Sequence, residues 1–154
     1  MNKTALAFVA AAAALLSAAA RADGHGPRVP PLPAYQQECA ACHVAYPPGM
    51  LPKASWQRLM GNLPRHFGTD ASLDAPTLNA IGTWLDAHAG SSRRVAEAPP
   101  EDRITRSAWF EREHRKVPAE AWKRASIRSA ANCAACHTGA AEGDFDEDRV
   151  RIPK

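Results

Sequence analysis

Cys39-Ala40-Ala41-Cys42-His43 and Cys133-Ala134-Ala135-Cys136-His137 decide how this chain is read. The four cysteines of the sequence fall into these two pentapeptides, and none is left over. C-x-x-C-H is the attachment signature of c-type haem. Two residues between the thiols set them about one helical turn apart, which suits the two vinyl groups that they alkylate. The histidine beside the second thiol then presents its imidazole to the iron as the proximal ligand. The sequence therefore predicts two covalent haems, held by Cys39 and Cys42 with His43, and by Cys133 and Cys136 with His137.

Rival uses of paired cysteines fit less well. A disulfide framework gives no reason for histidine after both pairs, and it belongs to shorter scaffolds. Zinc sites built from two Cys-x-x-Cys pairs space them far more closely than the ninety residues found between these. A thioredoxin-like redox pair needs a βαβ context, and no alternating β-branched stretch is present.

Working outward, the N-terminus reads as an export signal. Lys3 gives a basic start, Ala5 to Leu16 is an unbroken apolar run, and Ala20-Arg21-Ala22 supplies small residues at the cleavage positions. Cleavage is expected between Ala22 and Asp23, so residues 1–22 are assigned to the signal peptide and the protein to the periplasm. The run is too short and alanine-rich for a spanning helix, which needs about 20 strongly apolar residues. Of the 154 residues, 132 would remain, and removing Lys3 and Arg21 reduces 19 Lys+Arg to 17 against 16 Asp+Glu. A nearly neutral polypeptide gives no argument for nucleic-acid binding. Large side chains are few, with four Phe, two Tyr and four Trp. A core this thin offsets chain entropy poorly unless large apolar cofactors fill it.

The remaining pattern predicts a mainly α fold with long loops. A helix is expected to carry the first motif from about Tyr35 to His43. Pro52 opens a second helix with Trp56, Leu59 and Met60 at helical spacing. Asp74 is a candidate N-cap for a third helix that runs to about His88, with Leu78, Ile81 and Leu85 on one face and Gly90 as its stop. Ser91 to Pro100 reads as a linker, which places an N-terminal haem lobe at residues 23–91 and a C-terminal one at 92–154. Helical character returns near Trp109 to Arg115 and Pro118 to Arg128, and the second motif sits on a short helix. Pro52-Lys53-Ala54-Ser55-Trp56-Gln57-Arg58 and Pro118-Ala119-Glu120-Ala121-Trp122-Lys123-Arg124 echo each other as short segments whose Trp packs on haem or core. Asp144, Asp146 and Asp148 alternate as in a calcium loop, but Arg149 stands where glycine is needed, so a solvated acidic tail is expected. From Arg93 to Arg128 ten Lys/Arg face six Asp/Glu, a basic stretch able to steer an acidic partner.

The sixth ligand of each iron sets function, because a closed iron passes electrons and an open one binds small molecules. Beyond the motifs stand His25, His66, His88 and His114. His25 lies in a Gly/Pro-rich arm. His66 lies 23 residues after His43 in a loop able to reach the opposite face. His88 ends a helix, where imidazolium suits the dipole. Only 17 residues follow His137, so the far face of the second haem must be covered from upstream, and His114 is the natural source. Met50 is too near His43 to reach around, and Met60 belongs to the apolar stripe. The expected pairs are His43 with His66 and His137 with His114; crossed pairing, or His88 in place of one member, stays open.

With these residues placed, the sequence resembles the dihaem cytochromes c of bacterial periplasms. The resemblance rests on Glu38 to His43, Trp56 to Met60, Arg65 to Leu73, Trp109 to His114, and Asn132 to His137 with Gly143-Asp144-Phe145. It implies two low-spin bis-histidine haems, an N-terminal lobe similar to class I cytochromes c, a smaller C-terminal haem lobe, and a redox partner that is a small monohaem cytochrome c or a membrane cytochrome b. The function expected is electron carriage, with no catalytic residue assigned. A small haem enzyme of peroxidase type, or a gas-binding protein, is the alternative and requires one open iron.

Overall fold

Proline and a buried aromatic start the first helix, α1 (Pro33–Cys39). Pro33 occupies the first turn, where its missing N–H costs nothing. Tyr35 is the buried residue, with its ring 4.8 Å from that of Trp84. The computed structural model describes residues 29–154, so the expected export signal and His25 lie outside the described residues. The helix stops at Cys39, short of the expected His43. Ala40, Ala41 and Cys42 are exposed, so no apolar stripe holds a further turn against the core. The rest of the first motif is a turn.

Pro52 precedes α2 (Lys53–Met60), which buries Ser55 and Trp56. The Trp56 indole donates to the Pro48 carbonyl at 2.7 Å, so its one polar atom is satisfied in the core. The longest helix, α3 (Ala75–His88), begins as its sequence predicts. The Asp74 carboxylate accepts from the Thr77 amide at 3.1 Å, and Pro76 stands in the first turn. Ile81 and Leu85, four residues apart, are almost fully buried. They pack with Tyr35, Ala45, Leu51 and Trp56 into one core cluster. Lys53 and Gln57 on α2 both reach Asp86 on α3, at 3.2 and 2.9 Å.

Gly90 stands just past the helix end, as expected, and serves a further purpose. Ala89 leaves the helix in an extended conformation, and the Gly90 amide donates to Leu51 O at 2.8 Å. A Cβ at residue 90 would collide with the Val95 side chain and sit 2.6 Å from Gly49 O. Glycine is needed there for close approach.

Beyond residue 100 regular structure thins. The fourth helix, α4 (Ala108–His114), is capped by Ser107, whose hydroxyl accepts from Phe110 N and donates to Ile104 O. Trp109 and Phe110 form a second cluster with Val95, and Ile104 touches both clusters. The helical character expected over Pro118 to Arg128 reduces to one 3-10 turn, Ala121–Lys123. Its buried residues, Ala121 and Ile127, are not at helical spacing, so no continuous stripe forms. The second motif lies on a 3-10 turn, Cys133–Ala135. Two more such turns, Ala140–Glu142 and Glu147–Arg149, carry the tail. Asp144 and Asp146 accept from the amides two residues on, and Arg149 pairs with Asp144. Asp146, Glu147 and Asp148 are exposed.

The fold is helical, with no strand among the described residues; three isolated bridges, Pro52 with Gly90, His66 with Thr69 and His137 with Val150, are its nearest approach to one. Arg58 on α2 forms a two-pronged link with Asp102, at 2.9 and 2.6 Å, which ties the first three helices to the 3-10 turn Pro100–Asp102.

Candidate haem sites

The first site forms where α1 ends. Cys39 closes the helix, and the turn after it carries Cys42 and His43. The His43 Nδ1 lies 2.7 Å from Val44 O, so Nδ1 holds the proton and Nε2 keeps its lone pair. His66 comes from the loop between α2 and α3, just past the 3-10 turn Leu63–Arg65. Its amide donates to Leu63 O, and its carbonyl accepts from Thr69 N. The two imidazoles face each other at 6.2 Å between ring centres and 27° between planes. Phe67, the next residue, has φ 51° and lies edge-on to His66, with the Arg103 guanidinium 4.3 Å above its ring.

The second site has the same parts on a different scaffold. Asn132 donates to Ile127 O at 3.1 Å and fixes the entry to the motif turn. The tail returns over it: Arg151 N donates to Cys136 O at 2.9 Å, and Phe145 lies 5.4 Å from the His137 ring. His114 ends α4 with Nδ1 at 2.9 Å from Phe110 O, one turn back. The Phe110 ring stacks on it at 3.9 Å, and Trp122 stands 5.9 Å away. His114 and His137 face each other at 6.1 Å and 69°.

These distances test whether haem iron fits. Two metal–imidazole bonds of about 2.0 Å each account for about 4 Å, and the two ring radii make up the remainder. A metal between either pair is therefore accommodated. His66 Nδ1 and His137 Nδ1 are buried without a hydrogen-bond partner. Burial first, and then the facing histidine, lowers the pKa of His66 and of His137. Both favour the neutral imidazole, which is the ligating form. No disulfide joins the four cysteines, which leaves every sulfur for the haem thioethers that the two motifs call for. Among the described residues no three His, Cys, Asp or Glu side chains converge as a zinc site would require.

The motif histidines are paired with His66 and His114, and the ring partner of His88 is Trp84. The His88 Nδ1 lies 2.7 Å from Trp84 O, and its ring packs on Trp84. Met50 packs on the second core cluster and Met60 on the first. The Trp echo also resolves. Trp56 is core, while Trp122 stands beside His114. Sequence reasoning overlooked Tyr46, which stacks on His43 at 4.8 Å, and the role of Phe110. An aromatic three residues after one candidate ligand and another four before the other were the available signals. Burial pushes the Tyr46 hydroxyl up to about 12.

Two C-x-x-C-H turns on a helical fold without strands, each faced by a further histidine at metal-bridging distance, define a c-type cytochrome with two haems. The chain belongs to the dihaem cytochrome c family, whose sequence model matches residues 35–145. It carries two covalently bound haem c groups. The chain is similar to the dihaem cytochrome c of Shewanella baltica OS155, at 36% identity and TM-score 0.70, covering 79% of this chain and 92% of that one. Two structures of dihaem cytochrome c from Rhodobacter sphaeroides match at 43% and 41% identity, with TM-scores of 0.66 and 0.68. Each alignment covers 77% of this chain and the whole of the other. No curated protein sequence matches the chain.

Proposed function

We propose that this protein is an exported, periplasmic electron carrier whose two haems are both low-spin and bis-histidine ligated. Cys39 and Cys42 would hold the first haem and Cys133 and Cys136 the second, with His43 and His137 as proximal ligands and His66 and His114 as distal ones. The observation that carries the reading is the pair of imidazole separations, 6.2 and 6.1 Å, at the two motifs. When bound, each haem iron supplies a one-electron couple between its ferric and ferrous states. The chain's own part is to close both faces of each iron. The Nδ1 contacts of His43 and His114 with backbone carbonyls place the proton on Nδ1 and would leave Nε2 free to bind iron. With His66 and His114 as ligands opposite His43 and His137, neither iron would keep a position for substrate or gas, and both potentials would fall below those of a Met/His pair.

The partner proposed is another redox protein, a small monohaem cytochrome c or a membrane cytochrome b. No helix among the described residues is long and apolar enough to cross a membrane.

The test is absorbance of the holoprotein, oxidised and reduced, with and without carbon monoxide. Low-spin bands that carbon monoxide leaves unchanged are expected. High-spin bands with a carbon monoxide shift would overturn the reading and point to a peroxidase-like or gas-binding role at the open iron.

A further inference from the structure

Tyr46 stands where the two haem sites meet. It follows His43 by three residues and stacks on that imidazole at 4.8 Å and 22°. Its hydroxyl donates to the Ala131 carbonyl at 2.9 Å, 85 residues along the chain and two before Cys133. Its own carbonyl accepts from the Tyr35 hydroxyl at 2.6 Å, and Tyr35 is buried in α1. One residue thus has its backbone anchored on the first helix, its ring on one motif histidine, and its hydroxyl on the segment that leads into the other motif. Each contact is ordinary alone. Their convergence on one side chain is the observation.

We propose that Tyr46 is the positioning residue that couples the two haem sites, setting the ring plane of His43 and pinning the second attachment segment to the first. The proposal rests on the bis-histidine reading above. In the first site the ring planes of Tyr46, His43 and His66 are near-parallel, at 22° between the first two and 27° between the last two. The flat face of Tyr46 resists rotation of His43 about its bond to the backbone. In the second site Phe110 holds His114, and the imidazoles cross at 69°. The relative angle of two axial imidazoles governs the splitting of the iron d orbitals, and with it the spread of the g-values. The two sites should therefore give separate low-spin signals, and only the first should depend on Tyr46. The hydroxyl acts on a different quantity. Each iron would feel the other's charge change more strongly the nearer the two lie, and that repulsion widens the gap between their midpoint potentials. Loosening the Ala131 contact lets the segments part and narrows the gap.

The experiment uses holoprotein carrying two haems, with Tyr46→Phe and Tyr46→Leu. Wild-type spectra with carbon monoxide come first; if an iron is open, the bis-histidine reading fails there, independently of what the variants do. With both irons closed, Tyr46→Phe keeps the ring and loses the tether. It should narrow the potential gap and speed amide exchange near Ala131 by about two- to tenfold, with the electron paramagnetic resonance signals unmoved. Tyr46→Leu should in addition shift the g-values of the near-parallel site and leave the crossed site as it was. A Tyr46→Phe protein whose potential gap matches wild type overturns the proposal, whatever Tyr46→Leu shows. Unshifted g-values in a correctly loaded Tyr46→Leu protein overturn it as well. If Tyr46→Leu fails to load haem, the Tyr46→Phe comparison decides alone.

Discussion

The two haem sites use the same pentapeptide, and a second histidine faces each motif, yet they rest on different foundations. Around the first, α1, α2 and α3 pack on a cluster that includes Leu51, Ile81 and Leu85, each at most 1% exposed. Around the second, one seven-residue helix and a series of 3-10 turns hold Trp109, Phe110 and Val95, with Ala121, Ile127 and Ala140 buried singly. The imidazoles are near-parallel in the first and strongly crossed in the second. A short attachment motif therefore does not need a helix beneath it. It needs a turn, a ring facing it across the iron's width, and enough buried surface to keep the two in register. The second site obtains less of that surface from polypeptide, so more of its order must come from the haem itself.

The comparison breaks first at the cysteines. Cys133→Ala with Cys136→Ala should remove one haem of two, measured as haem per chain. It should also unfold much of residues 117–154, seen as lost amide protection. The matching change at Cys39 and Cys42 should remove the other haem but leave α2 and α3 packed. Equal loss of protection in both variants would erase the asymmetry. Next come His66 and His114, the proposed distal ligands. His66→Ala and His114→Ala should each open one iron, so that half of the haem binds carbon monoxide in a titration. The untouched site should stay low-spin in each case.

Core truncations follow. Leu85→Ala should cost about 3 kcal/mol in a denaturant titration, because α1, α2 and the turns beside them limit collapse into the cavity. Ile127→Ala should cost about 2 kcal/mol, since a scaffold of turns relaxes more readily. A larger loss at Ile127 would reverse the ranking of the two regions. The smallest effect is expected at the Arg58–Asp102 link. The Arg58 guanidinium, by its hydrogen bonds, holds the Asp102 carboxyl below the usual carboxylate range. A depressed folded pKa contributes stability above the unfolded value, and that stability is lost as pH falls through the folded one. The melting temperature of wild type should therefore exceed that of Asp102→Asn at pH 6, and the difference should shrink below about pH 4.

Particular residues show how far the sequence carried. Asp74 and His88 bound α3 where the cap and the apolar spacing placed them, because N-capping is local chemistry. The helix expected to run through the first motif failed at Cys39. A period of 3.6 can be read from sequence, whereas the loss of a burial partner for Ala40, Ala41 and Cys42 depends on what lies beside them. Gly90 stands just past the end of α3 as expected, but its need for closeness comes from Gly49 and Val95, which no pattern in α3 reveals.

The sequence by itself determined the chemistry: two covalent haem sites, a helical class, and the short menu of histidines able to complete them. It did so because thiol spacing and helix caps are set within a few residues. Only the tertiary structure decided which histidine faces which motif, that His88 turns to Trp84, and that the ring angles differ between the sites. The same holds for Tyr46, whose hydroxyl meets a carbonyl 85 residues away. Those outcomes depend on packing between segments remote in the chain, and no local pattern encodes a distance across the fold.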